Sequence, residues 1–408
     1  MRSQIFLCEQ GMNVLIFNCW RHSIAFHLMK SGERKPLATG SVQRVTLGEG
    51  TITVRVCERE VYEAKIEYLN HGAAIKTVVS LLTGPYPVVP QPAKIHAIAH
   101  RVVHGGEMFH GSTLLNRNMA SALRELTPLA PLHIPHNVAG IDATLELFPD
   151  TPQVAVFDTA FHQTIPPEAY LYPLPYEWYK NKGIRRYGFH GHAHQFALQR
   201  GAHLLDMCTA QCNLVTIVIG RGISVCAIRK GTSIDTSMGL TPLEGVPMGT
   251  RCGDIDPGLT LFMMERLNLS PVEIYRVLNE KSGLCGIAGS AKRPDLIRRA
   301  AGGDGRAQLA LDIQGYRLKK QIGSFIAGIG KVDGIVFTAE GSANDWRLRE
   351  QALEGLDHMG IRLDSERNLH ALPYEEVVVS AADSPIKVMA IPAHPEIVIC
   401  SEVASLLG

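Results

Sequence analysis

Apolar and polar residues alternate along this chain in a way that predicts strands interleaved with helices. Short apolar runs rich in β-branched residues occur at residues 13–18, 51–56, 95–99, 154–157, 214–219, 335–337 and 386–390, each bounded by Gly, Pro or polar positions. Helical spacing of apolar residues predicts helices over 60–82, 307–329, where Gly330 follows the last turn, and 348–359. Residues 85–92, PYPVVPQP, read as a surface loop. The pattern starts at Met12, so residues 1–11 read as an N-terminal extension, and Met12 as well as Met1 is a candidate start. Strands alternating with helices predict an α/β fold, and the Gly-containing polar segments follow strands, where open α/β sheets place ligands.

Composition narrows the partner. Lys and Arg total 40 against 39 Asp and Glu, a net charge of +1, which argues against a generic binder of nucleic acid or anionic membrane and leaves a local anion site open. The 408 residues, 46% hydrophobic, fit two ordinary domains. No apolar run approaches the roughly 18 residues of a spanning helix, and the N-terminus is too weakly apolar for a signal peptide. The nine cysteines are scattered without a C-x-x-C pair, as expected of reduced thiols in a cytoplasmic protein.

Four segments carry candidate chemistry. In HRVVHGG, Arg101 leaves a strand toward a Gly-Gly turn, where its fork suits an anion; a solvated turn is the plainer alternative. In VFDTAFH, Asp158 ends a strand, where a carboxylate orients a nucleophile, binds a metal through water or caps a helix. In RRYGFHGHAH, three histidines at i, i+2 and i+4 lack an acidic neighbour, so phosphate contact by His190 fits better than a metal site. GLTPLEGVPMGTRCGDIDP is a Gly-rich loop in which Arg251 can stabilise charge on a transferred group, with an ordered surface loop as the alternative.

These blocks, together with LAPLHIPHNVAGI and the long run from Val156 to Tyr179, resemble the acetate kinase family of acetate and propionate kinases, within the actin-like ATPase superfamily. The resemblance spans Met12 to Ile399. It implies two duplicated actin-like (ribonuclease H-like) domains around a central ligand cleft, the first built from 12–158 plus 386–408 and the second from 159–385. It also implies a homodimer and reversible transfer of the γ-phosphoryl of ATP to acetate with Mg²⁺. On that resemblance Arg101 binds the acyl carboxylate, with His133 nearby. Asp158 is similar to the catalytic aspartate, and His190 and Arg251 to the pair that stabilises the phosphoryl in flight. Such a site needs positioning and charge neutralisation more than covalent chemistry.

The nucleotide half of the family pattern is altered in five places. The first loop, N-x-G-S-S-S-x-K in the family, reads Asn18-Cys19-Trp20-Arg21-His22-Ser23-Ile24-Ala25, with Asn18 at the metal-associated position. The second, H-L-G-N-G-A-S, reads Val218-Ile219-Gly220-Arg221-Gly222-Ile223-Ser224, which makes Gly220, Arg221, Gly222 and Ser224 the nucleotide-loop residues. The family's D-x-R aligns with Arg293-Pro294-Asp295, and G-I-G-E-N with 340–344, including Gly341 and Asn344. The glutamate associated with the metal aligns with Pro395, which has no side-chain oxygen for Mg²⁺. Three readings stay open on the sequence: an ATP-dependent acetate kinase, a phosphotransferase with another donor such as pyrophosphate, and a non-catalytic relative that binds a small carboxylate, an acyl phosphate or a partner.

Overall fold

The computed structural model describes residues 11–57, 59–67, 70–84, 88–89, 94–339 and 345–408. They form two compact units, residues 1–160 with 395–408, and residues 161–394.

The first unit is built on eight strands: β1 (Asn13–Trp20), β2 (Ser23–Lys30), β3 (Ala38–Gln43), β4 (Glu49–Val56), β5 (Arg59–Glu67), β6 (Ala97–Val102), β7 (Thr113–Leu114) and β8 (Gln153–Phe157). Their order is β5-β4-β3-β2-β1-β6-β8-β7. Successive residues of β1 feed opposite faces, as the two-residue period of a strand requires. Leu15 and Phe17 join the core beneath the helix His71–Thr83, while Val14 and Ile16 pack with Ile399, Cys400 and Val403 of the helix Pro395–Leu407. The helix predicted over 60–82 is a strand followed by a helix. Residues 59–67 pair antiparallel with β4, because Tyr62, Ala64 and Ile66 alternate with polar residues and pack on the core. The helix proper starts at His71, where Asn70 caps Ala73 N–H.

The second unit has six strands: β9 (Leu214–Ile219), β10 (Ile223–Arg229), β11 (Thr232–Thr236), β12 (Gly334–Ala339), β13 (Val377–Val378) and β14 (Lys387–Pro392), in the order β11-β10-β9-β12-β14-β13. Every residue of β9 and β12 is buried, the mark of a sheet covered on both faces. β14 pairs parallel with β12 along its whole length, so residues 387–392 complete the second sheet, and the chain joins the first unit at Pro395 rather than at 386. The helix expected over 348–359 ends at Leu353; Gly355, at φ 73°, lets the chain turn into a short 3₁₀ segment at Asp357–Met359.

The two sheets repeat one plan. β1 pairs antiparallel with β2 and β2 with β3, while β1 pairs parallel with β6 and β6 with β8. β9, β10, β11, β12 and β14 repeat those pairings in the same order. The β1–β2 turn therefore corresponds to the β9–β10 turn. Among the described residues no helix is long and apolar enough to cross a membrane. Most of the proline-rich stretch at 85–92 lies outside the described residues; of those described, Val89 is buried.

Candidate functional site

In the first unit, two parallel neighbours present a charge pair. Arg101 lies near the end of β6, and Asp158 follows β8, its N–H donating to Val102 O at 3.0 Å. Arg101 Nε donates to Asp158 Oδ1 at 2.7 Å and Nη2 to Oδ2 at 2.9 Å, with Asp158 almost fully buried. Asp158 is thus engaged in a bidentate pair. Two residues beyond β6, burial pushes the His104 imidazole down to about 4, so the ring is neutral at pH 7, and its Nδ1 accepts from Gly106 N–H at 2.9 Å.

His133 precedes the helix Ile134–Leu147, and its side chain makes no cap hydrogen bond. It belongs to a group of protonatable side chains around the β1–β2 turn. His71 stacks on His136 at 5.6 Å and, through Nε2–H, donates to Trp20 O at 2.7 Å. Burial first, then His71, Arg21, His22 and His133, lower the pKa of His136. Where the family pattern has Gly and Lys, this turn is ringed by imidazoles and Arg21. Asn137 fixes the helix to both strand ends, donating to Cys19 O at 2.8 Å and accepting from Val103 N–H at 3.2 Å. Nothing in its apolar sequence context marked it.

The family implies Mg²⁺. Asn18 Oδ1 is buried without a partner, so one oxygen is available for it. Pro395 opens the last helix and offers no donor, and no group of three or more His, Cys, Asp or Glu among the described residues is disposed to hold a metal. One amide oxygen does not make a protein-held Mg²⁺ site, which takes carboxylates with water or phosphate.

In the second unit, the β9–β10 turn brings together Gly222, His190 and Arg251, three of the residues singled out by the resemblance. Gly220 N–H donates to Gly222 O at 2.9 Å. A Cβ at Gly222 would stand 3.3 Å from His190 Cε1 and 3.4 Å from Arg251 Nη1, so both side chains lie against this glycine. His190 takes the left-handed φ of 60°, a strained position for a non-glycine residue. Arg251 donates to Pro242 O at 3.2 Å and has no carboxylate partner among the described residues. Burial lowers its pKa, Tyr275 raises it, and Arg221 lowers it further. Arg221 itself is exposed at the turn tip. Ser224, expected in the nucleotide loop, is fully buried, with Oγ between His190 and His194.

The Arg251 loop is held from two sides. Thr250 Oγ1 donates to Asn279 O at 2.8 Å and Cys252 N–H to Leu278 O at 3.0 Å, tying it to the helix Pro271–Glu280. Arg186 Nη2 donates to Glu244 Oε1 at 2.5 Å, Tyr172 Oη donates to Glu244 Oε2, and Leu240 N–H donates to Tyr172 Oη at 3.0 Å. Tyr172, Arg186 and Glu244 all lie in the sequence blocks named above, but their contact joins residues about 70 positions apart. Arg293 pairs with Asp345 and Gln314, both at 2.6 Å, and lines a cavity of about 210 Å³ with Ile297, Leu311, Arg347 and Gln351. Gly341 and Asn344 lie outside the described residues.

The sequence profile described as the Acetokinase family matches residues 13–401. The acetate kinase of Geobacter metallireducens is 47% identical over 399 residues, covering 97% of this chain and 95% of that protein. That of Geobacter sulfurreducens is 47% identical with the same coverage. The crystal structure of Porphyromonas gingivalis acetate kinase superposes with a TM-score of 0.93 at 35% identity, covering 98% of this chain and all of that one. A propionate kinase from Francisella tularensis gives 0.89 at 33%, covering 96% and 98%.

Proposed function

The chain belongs to the acetokinase family, and on that footing we propose that it catalyses reversible phosphoryl transfer between ATP and acetate, giving ADP and acetyl phosphate. The observation that carries this reading is Arg251: a half-buried guanidinium without a carboxylate partner among the described residues, beside His190 and close to Arg221. Uncompensated cations on a Gly-X-Gly turn are what a transferred phosphoryl needs and what an apolar ligand would not tolerate.

Acetate is ionised at neutral pH, so its oxygen attacks the γ-phosphorus without a base while ADP leaves with the electrons of the broken P–O bond. Asp158 is therefore assigned to hold Arg101, whose guanidinium orients the acyl carboxylate together with His133. His190 and Arg251 neutralise the equatorial oxygens as charge spreads over them. Arg221 adds longer-range attraction for the phosphates, and Gly220 and Gly222 let backbone approach them. The acyl chain length accepted is not assigned. Neither a non-catalytic role nor pyrophosphate as donor draws support from the relatives, which are acetate kinases. The free cysteines among the described residues are in keeping with the cytoplasm.

The working unit is assigned as a homodimer. Leu261, Phe262 and Leu267, with Val272 and Tyr275 on the next helix, are all exposed, and Val272 reaches 70%. With Leu259 and Met264 they form a run of exposed large apolar side chains along the two helices, the kind of patch that marks a protein–protein contact. Glu265, Arg266, Glu273 and Arg276 on the same two helices carry both signs, which suits a second copy of this chain in a two-fold contact.

Trapping acetyl phosphate with hydroxylamine tests the reaction. Purified protein with acetate and Mg-ATP is expected to give hydroxamate that is absent with Arg251→Ala. Product from Mg-pyrophosphate alone would replace ATP as the donor, and no product from either would sink the proposal.

A further inference from the structure

Behind His190 runs a chain of side-chain hydrogen bonds that the reaction above does not use. His190 Nδ1 lies 2.9 Å from Ser224 Oγ, His194 Nε2 lies 2.8 Å from the same oxygen, and His194 Nδ1 lies 2.7 Å from Thr216 Oγ1. Ser224, His194 and Thr216 are fully buried. Thr216 comes from β9, Ser224 from β10, and His194 from the first turn of the helix Gly191–Leu204, so three elements of one unit converge on a single ring.

Counting protons limits what this chain can do. The Ser224 hydroxyl has one hydrogen, and among the described residues the two imidazoles are the only partners of its oxygen, so it donates to one and accepts from the other. Burial, then His162 and His190, push the His194 pKa well below its ordinary value, so that ring is neutral with a single N–H. Two polarities remain. In one, His194 donates from Nε2 to Ser224, which donates to His190 Nδ1, and His190 keeps its only proton on Nε2. In the other, His190 Nδ1–H donates to Ser224, Ser224 donates to His194 Nε2, and His194 Nδ1–H donates to Thr216. An imidazolium donates from both nitrogens, so only the second polarity admits a charged His190.

We infer that Ser224, His194 and Thr216 are positioning residues that hold the His190 ring with Nδ1 protonated, leaving Nε2 as the nitrogen that gains a proton and offers it to the phosphoryl oxygens. The choice of this polarity rests on the phosphoryl-transfer reading, which calls for a charged His190, whereas the tautomer itself is measured without turnover. The surrounding elements are consistent with a fixed polarity. The His162 ring stands edge-on to His194 at 5.5 Å, its Nε2–H donating to Phe189 O at 3.0 Å, so its Nδ1 accepts from Ser233 at 2.9 Å. Cys226, on β10, is buried and its thiol is pushed up to about 12, so it stays protonated. Arg251 and Arg221 are the cations on the turn side.

The test combines imidazole ¹⁵N NMR of the full chain with kinetics on Ser224→Ala, His194→Gln and His194→Leu. The wild type is expected to show His190 as the Nδ1–H tautomer at pH 8. Ser224→Ala should move it toward the Nε2–H form, lower kcat roughly 10- to 100-fold with KM for acetate nearly unchanged, and shift the acidic limb of the kcat profile. His194→Gln, whose amide oxygen still accepts from Ser224, should retain most of the rate, whereas His194→Leu should not. A His190 tautomer that is the same in wild type and Ser224→Ala, or a loss confined to KM, overturns the inference. If Ser224→Ala does not fold, the Gln and Leu variants of His194 decide it, and equal activity in those two overturns it. A wild type that makes no hydroxamate defeats the phosphoryl-transfer reading, while the tautomer measurement still decides this one.

Discussion

Arg101 and Asp158 form a bidentate ion pair across the ends of two parallel strands, Nε to Oδ1 at 2.7 Å and Nη2 to Oδ2 at 2.9 Å. The carboxylate fixes the plane and direction of the guanidinium. Asp158→Asn is expected to lower hydroxamate formation about 100-fold, mainly through a higher KM for acetate. Arg101→Lys should not rescue Arg101→Ala, because an ammonium cannot make the planar two-point contact. Arg101→Ala also strands a buried carboxylate and should cost about 3 kcal/mol of stability, read from urea unfolding. Asp158→Asn acting on kcat alone would remove the orienting role.

Arg251 and Arg221 should separate by burial. Removing the half-buried Arg251 takes away a preorganised cation, and Arg251→Ala is expected to lower kcat about 100- to 1,000-fold. Arg221 is exposed, so Arg221→Ala should raise KM for the nucleotide only a few-fold. That effect should fade as salt rises from 50 to 500 mM, because the charge is screened. An Arg221→Ala defect insensitive to salt would count against long-range attraction.

His100 and His104 should make the protein acid-labile. Burial pushes each imidazole down to about 4, in His100 partly opposed by its hydrogen bond to Gln153. The unfolded rings titrate near 6.5, so below that pH the unfolded chain binds protons that the folded chain refuses. The stabilisation is complete above about pH 6.5 and is lost as pH falls toward 4, by about 2 kcal/mol per ring between pH 7 and 5. Urea midpoints across that range test this, and a flat profile would contradict it. His100→Gln should remove one ring's share of the slope.

The exposed face of the helix Gly258–Arg266 should be closed by a second copy. Phe262→Glu is expected to yield monomers in sedimentation velocity at micromolar protein. Because the neighbouring helix Pro271–Glu280 holds Thr250 and Cys252, the monomer should also lose part of its kcat. Sedimentation of wild type as a monomer would refute the assignment.

The sheets were legible in the sequence where strands are buried on both faces. β9 and β12 are short, mostly apolar runs rich in β-branched residues, which favour strand over helix. β5 was misread as helix because Val61, Tyr62, Ala64 and Ile66 also fit a helical stripe when joined to the true helix beyond Asn70. The site residues were legible as types after strands, but their pairing was not. Arg101 and Asp158 are 57 positions apart, and either could have faced a ligand alone. Ser224 carried the signal of a phosphate loop, while its partner His194 sat among three histidines whose separate duties only the packing distinguishes.

The helix Pro395–Leu407 has a consequence for synthesis. It supplies Ile399, Cys400 and Val403 to one face of the first sheet, against Val14, Ile16, Ala97 and Val154. On the ribosome, β1 is made early yet waits for these residues, some 380 positions later, before that face is covered. The second unit is continuous in sequence and has all its strands by Pro392. Its folding can precede completion of the first, reversing the usual N-to-C order. Chaperones that shield nascent apolar surface would then meet the early sheet for nearly the whole of translation, and truncations before Val403 should yield chains with a folded second unit and a first that aggregates.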